Sequence, residues 1–246
     1  MKTLASLILA GSVLCLAMPA QAETLDDANR AFAAGHYHES TLGFQAVLAR
    51  EGYSAPVLFD LGNSSYCEGD FAQAILAYKR AQWLSPNDPD IAANLQLAQK
   101  QAGLSVAEPS WMEKITRTLS ASGWAWVGSG AWTLFCASLL ARAILPQRRS
   151  LFFLTGAASV LVLFTAIAAG VISSGELRQA VVTDKNASAL ISPFPAAQTV
   201  FSPPPGETVT VQKAYNDFFL VKDAAGHTGW ISKTQITPIV PSLSNG

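Results

Sequence analysis

The chain has 246 residues, 50% of them hydrophobic and only 13% charged, with a formal net charge of −1. A soluble domain carries about 25% charged residues, so part of this chain is expected to lie in lipid, and the balanced charge gives no electrostatic case for a nucleic-acid partner. Of the three cysteines, Cys15 falls in an apolar leader and Cys136 in an apolar span, which leaves Cys67 without a mate for a disulfide outside the membrane.

The first 22 residues have Lys2, an apolar run from Leu4 to Met18 and the small-x-small tripeptide Ala20-Gln21-Ala22. This is the pattern of a secretory signal peptide, residues 1–22, and it predicts export of everything from Glu23 to the first membrane span. Leu14, immediately before Cys15, occupies the place where lipidation needs a small residue, so no lipid anchor is expected.

From Ala28, ANRAFAAGHYHESTLGFQAVLA aligns with GNSSYCEGDFAQAILAYKRAQW from Gly62 at a constant offset of 34 residues. Asn29 matches Asn63, Gly35 matches Gly69, Tyr37 matches Phe71, and Phe44 matches Tyr78. Each unit reads as two amphipathic helices joined at a glycine able to take φ > 0. Small Ala74 and Ala81 allow close approach, and Phe44 and Tyr78 fill the space between helices. A further helix, Pro89–Gln101, would cover the second unit, capped by Asp88 or Asn87 with Pro89 in its first turn. Leu61-Gly62, Gly69, Ala74, Tyr78, Ala81 and Pro86 give residues 23–103 a resemblance to a tetratricopeptide-repeat domain. Ser65 departs from that pattern, as do Ala28 and Val47 in the first copy. The resemblance implies a partner-binding groove lined by Leu25, Asn29, Phe32, Phe59, Asn63, Tyr66 and Asn94. Asn63 and Asn94 are similar to the asparagines of carboxylate-binding repeats, but Leu25 and Phe59 stand where lysine is needed, so a C-terminal carboxylate ligand is not expected. Backbone bonding by these asparagines stays open as the alternative.

Ser110 and Glu113 have capping-box spacing, and Trp111, Ile115 and Leu119 recur every four residues, which predicts a juxtamembrane amphipathic helix over 108–121. Two charge-free runs follow. They predict membrane helices at 122–145 and 150–174, because a bilayer core needs about 20 apolar residues whose backbone groups bond within the segment. Trp124, Trp126 and Trp132 suit the interfacial end of the first span. Arg142, Arg148 and Arg149 surround the short loop 146–149, and such positive loops stay cytoplasmic during insertion. Both flanking segments therefore belong on the outer face.

After Gln179 short apolar runs are broken by Pro, Gly, Asn and Asp. Thr208–Val211 alternates Thr and Val as a half-buried strand does, and Asp223-Ala224-Ala225-Gly226 separates two strands as a hairpin turn. About five strands are expected, in a small barrel. The PPGETVTV strand, the YNDFFLVKDAAG hairpin and the closing Gly229-Trp230-Ile231 resemble a bacterial SH3 domain over 178–240. Tyr215, Phe218 and Trp230 are its candidate ligand surface, with Phe219 and Trp230 favoured for the core and Phe218 standing in place of the usual tryptophan.

His36, His38 and His227 are the only histidines, and no Ser-His or Cys-His pairing can be placed in one fold. His36-x-His38 lacks the third and fourth ligands that a zinc site wants, and nothing basic adjoins Cys67 to activate it. No enzymatic activity, metal or cofactor is expected. The order of leader, all-α repeat domain, two-helix membrane hairpin and all-β SH3-like barrel makes this a multidomain membrane protein resembling the BatE family of the Bacteroides aerotolerance operon. That resemblance implies a non-catalytic scaffold or adaptor on the periplasmic face of the bacterial inner membrane. Its implied partners are membrane-anchored proteins with von Willebrand factor type A domains and a MoxR-type AAA+ ATPase pathway, with a suggested part in envelope integrity or oxidative-stress tolerance. A peptidoglycan tether acting through the SH3-like domain is the alternative.

Overall fold

The computed structural model describes residues 24–106, 119, 121–176 and 178–240. The leader and most of the juxtamembrane segment 108–121 lie outside the described residues. Five helices come first: α1 (Leu25–Ala33), α2 (Tyr37–Glu51), α3 (Ala55–Glu68), α4 (Phe71–Leu84) and α5 (Pro89–Gln101). The starts of α2 and α4, at 37 and 71, and of α3 and α5, at 55 and 89, keep the 34-residue spacing seen in the sequence.

Local chemistry accounts for these boundaries. Thr24 and Asp27 form a reciprocal capping box on α1, and the Asp88 carboxylate accepts from the backbone of Asp90 and Ile91 to start α5. Gly35 and Gly69 take φ of 78° and 87° at the two turns, where a side chain would be strained. Gly62 lies directly beneath Tyr78, and an added Cβ would come 2.4 Å from the ring. Ala74 and Ala81 are fully buried as expected, and Phe44 and Tyr78 are almost completely so. Between the two units the buried Ser40 hydroxyl donates to the Ala28 carbonyl and bonds the Ser64 hydroxyl at 2.9 Å. The buried hydroxyl of Ser65 has no partner among the described residues.

Helices α6 (Ala121–Ile144) and α7 (Arg149–Glu176) are each long and apolar enough to cross a membrane. They pack as a hairpin around a short 3₁₀ turn, Pro146–Arg148. Their contact is made by small residues: Ala131, Ser138, Ser159, Ala166 and Ala169 are buried, and a Cβ on Gly156 would meet Ser138 Oγ at 2.9 Å. Ala166 faces Gly128 across this contact, whereas Gly170 opens onto free space.

Residues 178–240 carry one seven-stranded antiparallel sheet, in the order β3-β2-β6-β5-β4-β1-β7. The strands are β1 (Gln179–Val182), β2 (Ala189–Leu190), β3 (Thr199–Phe201), β4 (Thr208–Tyr215), β5 (Phe218–Lys222), β6 (Thr228–Ser232) and β7 (Ile236–Pro238). The count exceeds the five expected because β2 has two residues and β3 and β7 three each, too short to display a period in sequence. Val209 and Val211 point inward, while Thr208 is half-buried and Thr210 exposed, as the alternation predicts. At the β5–β6 turn, Asp223 accepts from the His227 backbone at 2.8 Å, and Gly226 has φ 96°. The core of the sheet gathers Ala180, Val182, Ala189, Val209, Phe219, Val221, Ile231 and Ile236.

The sheet does not float free of the helices. Val181 of β1 and Ile239 and Val240 beyond β7 share one buried cluster with Ala74, Ile75, Leu76, Leu95 and Ala98 of α4 and α5. Two units in such contact must occupy the same side of any bilayer that α6 and α7 cross.

Candidate partner-binding surfaces

The residues assigned to the repeat groove all fall on α1, α3 and α5, the first helices of the successive units. Leu25 and Asn29 are exposed. Phe32 stands edge-on to Tyr37 with ring centroids 5.6 Å apart, and its counterpart one repeat later, Tyr66, meets Phe71 at 5.5 Å. The aromatic contact at the foot of each unit is thus repeated in space as well as in sequence. Phe59 leans on Tyr78 at 5.9 Å.

Among the described residues, Asn63 and Asn94 bond side chains of the array rather than neighbouring backbone. Asn63 Oδ1 accepts from the Tyr78 hydroxyl at 2.7 Å and from Asn94 Nδ2 at 2.9 Å, so its acceptor is saturated inside the array. Burial holds the Tyr78 phenol well above its ordinary pKa of 10, since the anion would be desolvated. Five of the seven assigned residues, Phe32, Phe59, Asn63, Tyr66 and Asn94, are half-buried structural elements at the base of the surface. Leu25 and Asn29 remain its open part.

The sequence reading missed Arg80. This α4 side chain donates from Nε to the Ile239 carbonyl at 3.1 Å and from Nη2 to the Pro238 carbonyl at 2.9 Å. Its guanidinium also lies over the Tyr53 ring, 5.1 Å from the centroid. Burial lowers its pKa, with Tyr53 acting the other way. Beside it, a Cβ on Gly206 would come 2.8 Å from Ile75 Cδ1, so glycine permits the loop before β4 to lie on the helix. The partners are some 160 residues apart in the chain and are main-chain oxygens, which leave no pattern in sequence.

On the sheet, Tyr215 is 46% exposed and meets Trp230 edge-on at 6.2 Å. Trp230, favoured for the core, is only half-buried and lies opposite Leu190 and Leu220 in register, giving that face an apolar stripe. Phe218, assigned to the surface, is instead buried against its strand neighbours at 9% exposure. Phe219 belongs to the core as expected, with the Lys233 ammonium over its ring.

Arg148 and Arg149 are exposed at the hairpin turn, and Arg142 lies over the Phe153 ring of the facing helix at 5.8 Å. His36 faces Glu39 at 3.5 Å, while His38 bonds Glu68 at 2.7 Å, so the two rings of His36-x-His38 address different carboxylates. Cys67 is exposed near the end of α3.

Comparison of the chain with protein families, with curated proteins and with solved structures finds no match.

Proposed function

We propose that this protein is a non-catalytic scaffold of the bacterial inner membrane, its two tetratricopeptide-like units and SH3-like barrel held together on the periplasmic side for recognition of other envelope proteins. The observation that carries this reading is the joint itself: buried apolar residues of α4, α5 and β1, fastened by Arg80 to the Pro238 and Ile239 carbonyls. A rigid composite body above a membrane hairpin suits presentation of surfaces better than turnover. The 34-residue spacing, the positive-φ glycines and the repeated aromatic pairs support the repeat assignment. The leader and the arginines of the loop support the orientation. Resemblance to the BatE family points to partners with von Willebrand factor type A domains, in a MoxR-type ATPase pathway serving envelope integrity or oxidative-stress tolerance.

The test is photocrosslinking in cells from Asn29, on the open part of the repeat surface. Capture of one defined envelope protein supports the scaffold; no captured protein, with the chain present at normal level, removes it. A second reading rests on the Tyr215–Trp230 pair, which offers an aromatic surface to cell-wall material. Sedimentation of the full chain in detergent with purified sacculi, lost in Tyr215→Ala, would favour this tether.

A further inference from the structure

Only two residues separate the end of α7 at Glu176 from β1, so the sheet is tied close to whatever α7 crosses. Strand direction then decides which end of the sheet lies nearest. β1 carries the chain away from α7, and β4 runs back antiparallel to it, with Thr210 opposite Gln179. The Val211 N–H donates to the Arg178 carbonyl at 2.7 Å, so β4 is already level with the residue before β1 while residues 212–217 are still to come. Allowing for the bulge between Val211 and Lys213, the turn at Asn216 projects about 13 Å past Arg178, on the side from which α7 arrives. The other turn of β5, residues 223–226, lies at the opposite end of the same strands.

That overhang matches the stalk on which the sheet stands. The apolar stretch of α7 ends at Gly170, and six further residues carry the helix to Glu176, about 9 Å at the helical rise. The two residues that follow add at most about 7 Å. The turn thus returns to within a few ångströms of the level of Gly170, inside the headgroup layer, which is roughly 6 Å deep on each side of the hydrocarbon. Its side chains suit that layer. Tyr215 is exposed with its ring edge-on to Trp230, and exposed Lys213 shares its face of β4. An amphipathic ring settles at the border of water and hydrocarbon, and a lysine there keeps its stem in the apolar zone and its ammonium among phosphates. Exposed Asp217 balances the charge of Lys213, so the ring supplies the attraction. We propose, on the reading that α6 and α7 span a membrane, that the β4–β5 turn rests on the same bilayer with the Tyr215 ring among its headgroups. The contact adds a third point of attachment and fixes the attitude of the sheet, and of the array joined to it, above the lipid.

The experiment uses the full chain in vesicles of phosphatidylethanolamine and phosphatidylglycerol, with Cys15→Ala, Cys67→Ala and Cys136→Ala so that one spin label can be placed at a time. Labels go to Phe164→Cys on the exposed side of α7, Asp217→Cys in the β4–β5 turn and Ala225→Cys in the opposite turn. Electron paramagnetic resonance compares their collisions with oxygen, which concentrates in lipid, and with a water-soluble nickel chelate; matching melting curves show that all variants fold. The label at 164 should read as lipid and that at 225 as water. At 217 the oxygen-to-nickel ratio is expected to be several-fold above that at 225, and adding Tyr215→Ser should return it toward the value at 225. Equal ratios at 217 and 225, with 164 in lipid, overturn the proposal and leave the membrane reading standing. A raised ratio at 217 that Tyr215→Ser does not change also overturns it, because the ring then seats nothing. A label at 164 open to nickel removes the membrane reading and this contact with it.

Discussion

The helical array and the apolar hairpin of α6 and α7 are both built from helices in close contact, yet they sort their side chains in opposite ways. In the array the large groups are inside: Tyr78, Phe44, Leu58 and Ile75 are almost fully buried. In the hairpin they are outside, with Leu161 and Phe164 each 67% exposed to the surroundings, while alanine, serine and glycine make the contact. Water drives bulky apolar groups inward; lipid gives them no such reason, and the hairpin's small-residue contact is the sorting expected of helices long and apolar enough to cross a membrane. The same residue type accordingly serves two ends. Gly62 makes room for an aromatic ring, whereas Gly156 lets another helix approach Ser138.

The contrast is broken most severely at Tyr78. Tyr78→Ala should cost about 4 kcal/mol through lost burial and the cavity left behind, read as a collapse of the array's thermal transition with the hairpin's helicity retained. At the joint between array and sheet, Arg80→Met keeps the bulk but deletes two charge-assisted bonds. A loss of about 2 kcal/mol is expected, together with separate melting of units that otherwise unfold together, detectable by calorimetry.

Alkali sharpens the comparison further. The Tyr78 phenol has its pKa raised by burial, so the unfolded chain releases its proton first, from pH 10 upward. Stability of the array should then fall by about 1.4 kcal/mol per pH unit above that point, and Tyr78→Phe should abolish the slope. In the hairpin, Gly156→Leu should cost only about 1 kcal/mol, because lipid accommodates the displaced helix; Gly130→Leu, where nothing lies within 4 Å, should be silent. Reduced cysteine crosslinking across the hairpin would register the difference. A small effect has the opposite sign: Ser65→Ala removes a buried hydroxyl that has no partner among the described residues and should stabilise the array by under about 1 kcal/mol.

The fold was legible wherever a signal repeats or sits close in the chain. The 34-residue offset places the helices, Asp88 and Pro89 mark the start of α5, and the alternation at Thr208–Val211 marks a strand. The surfaces were legible only in part. Asn63 and Asn94 are tied up with Tyr78, and Phe218 packs inward while the neighbouring Tyr215 stays out.

By itself, the sequence determined which segments are helical, which are apolar enough for lipid and where the glycine turns fall, because periodicity, caps and φ preferences act over a few residues. Only the tertiary structure decided that the sheet seats itself on α4 and α5 and that Arg80 reaches the Pro238 and Ile239 carbonyls. Those contacts join main-chain atoms and side chains far apart in the chain. Nothing in the local pattern of either partner changes when they meet.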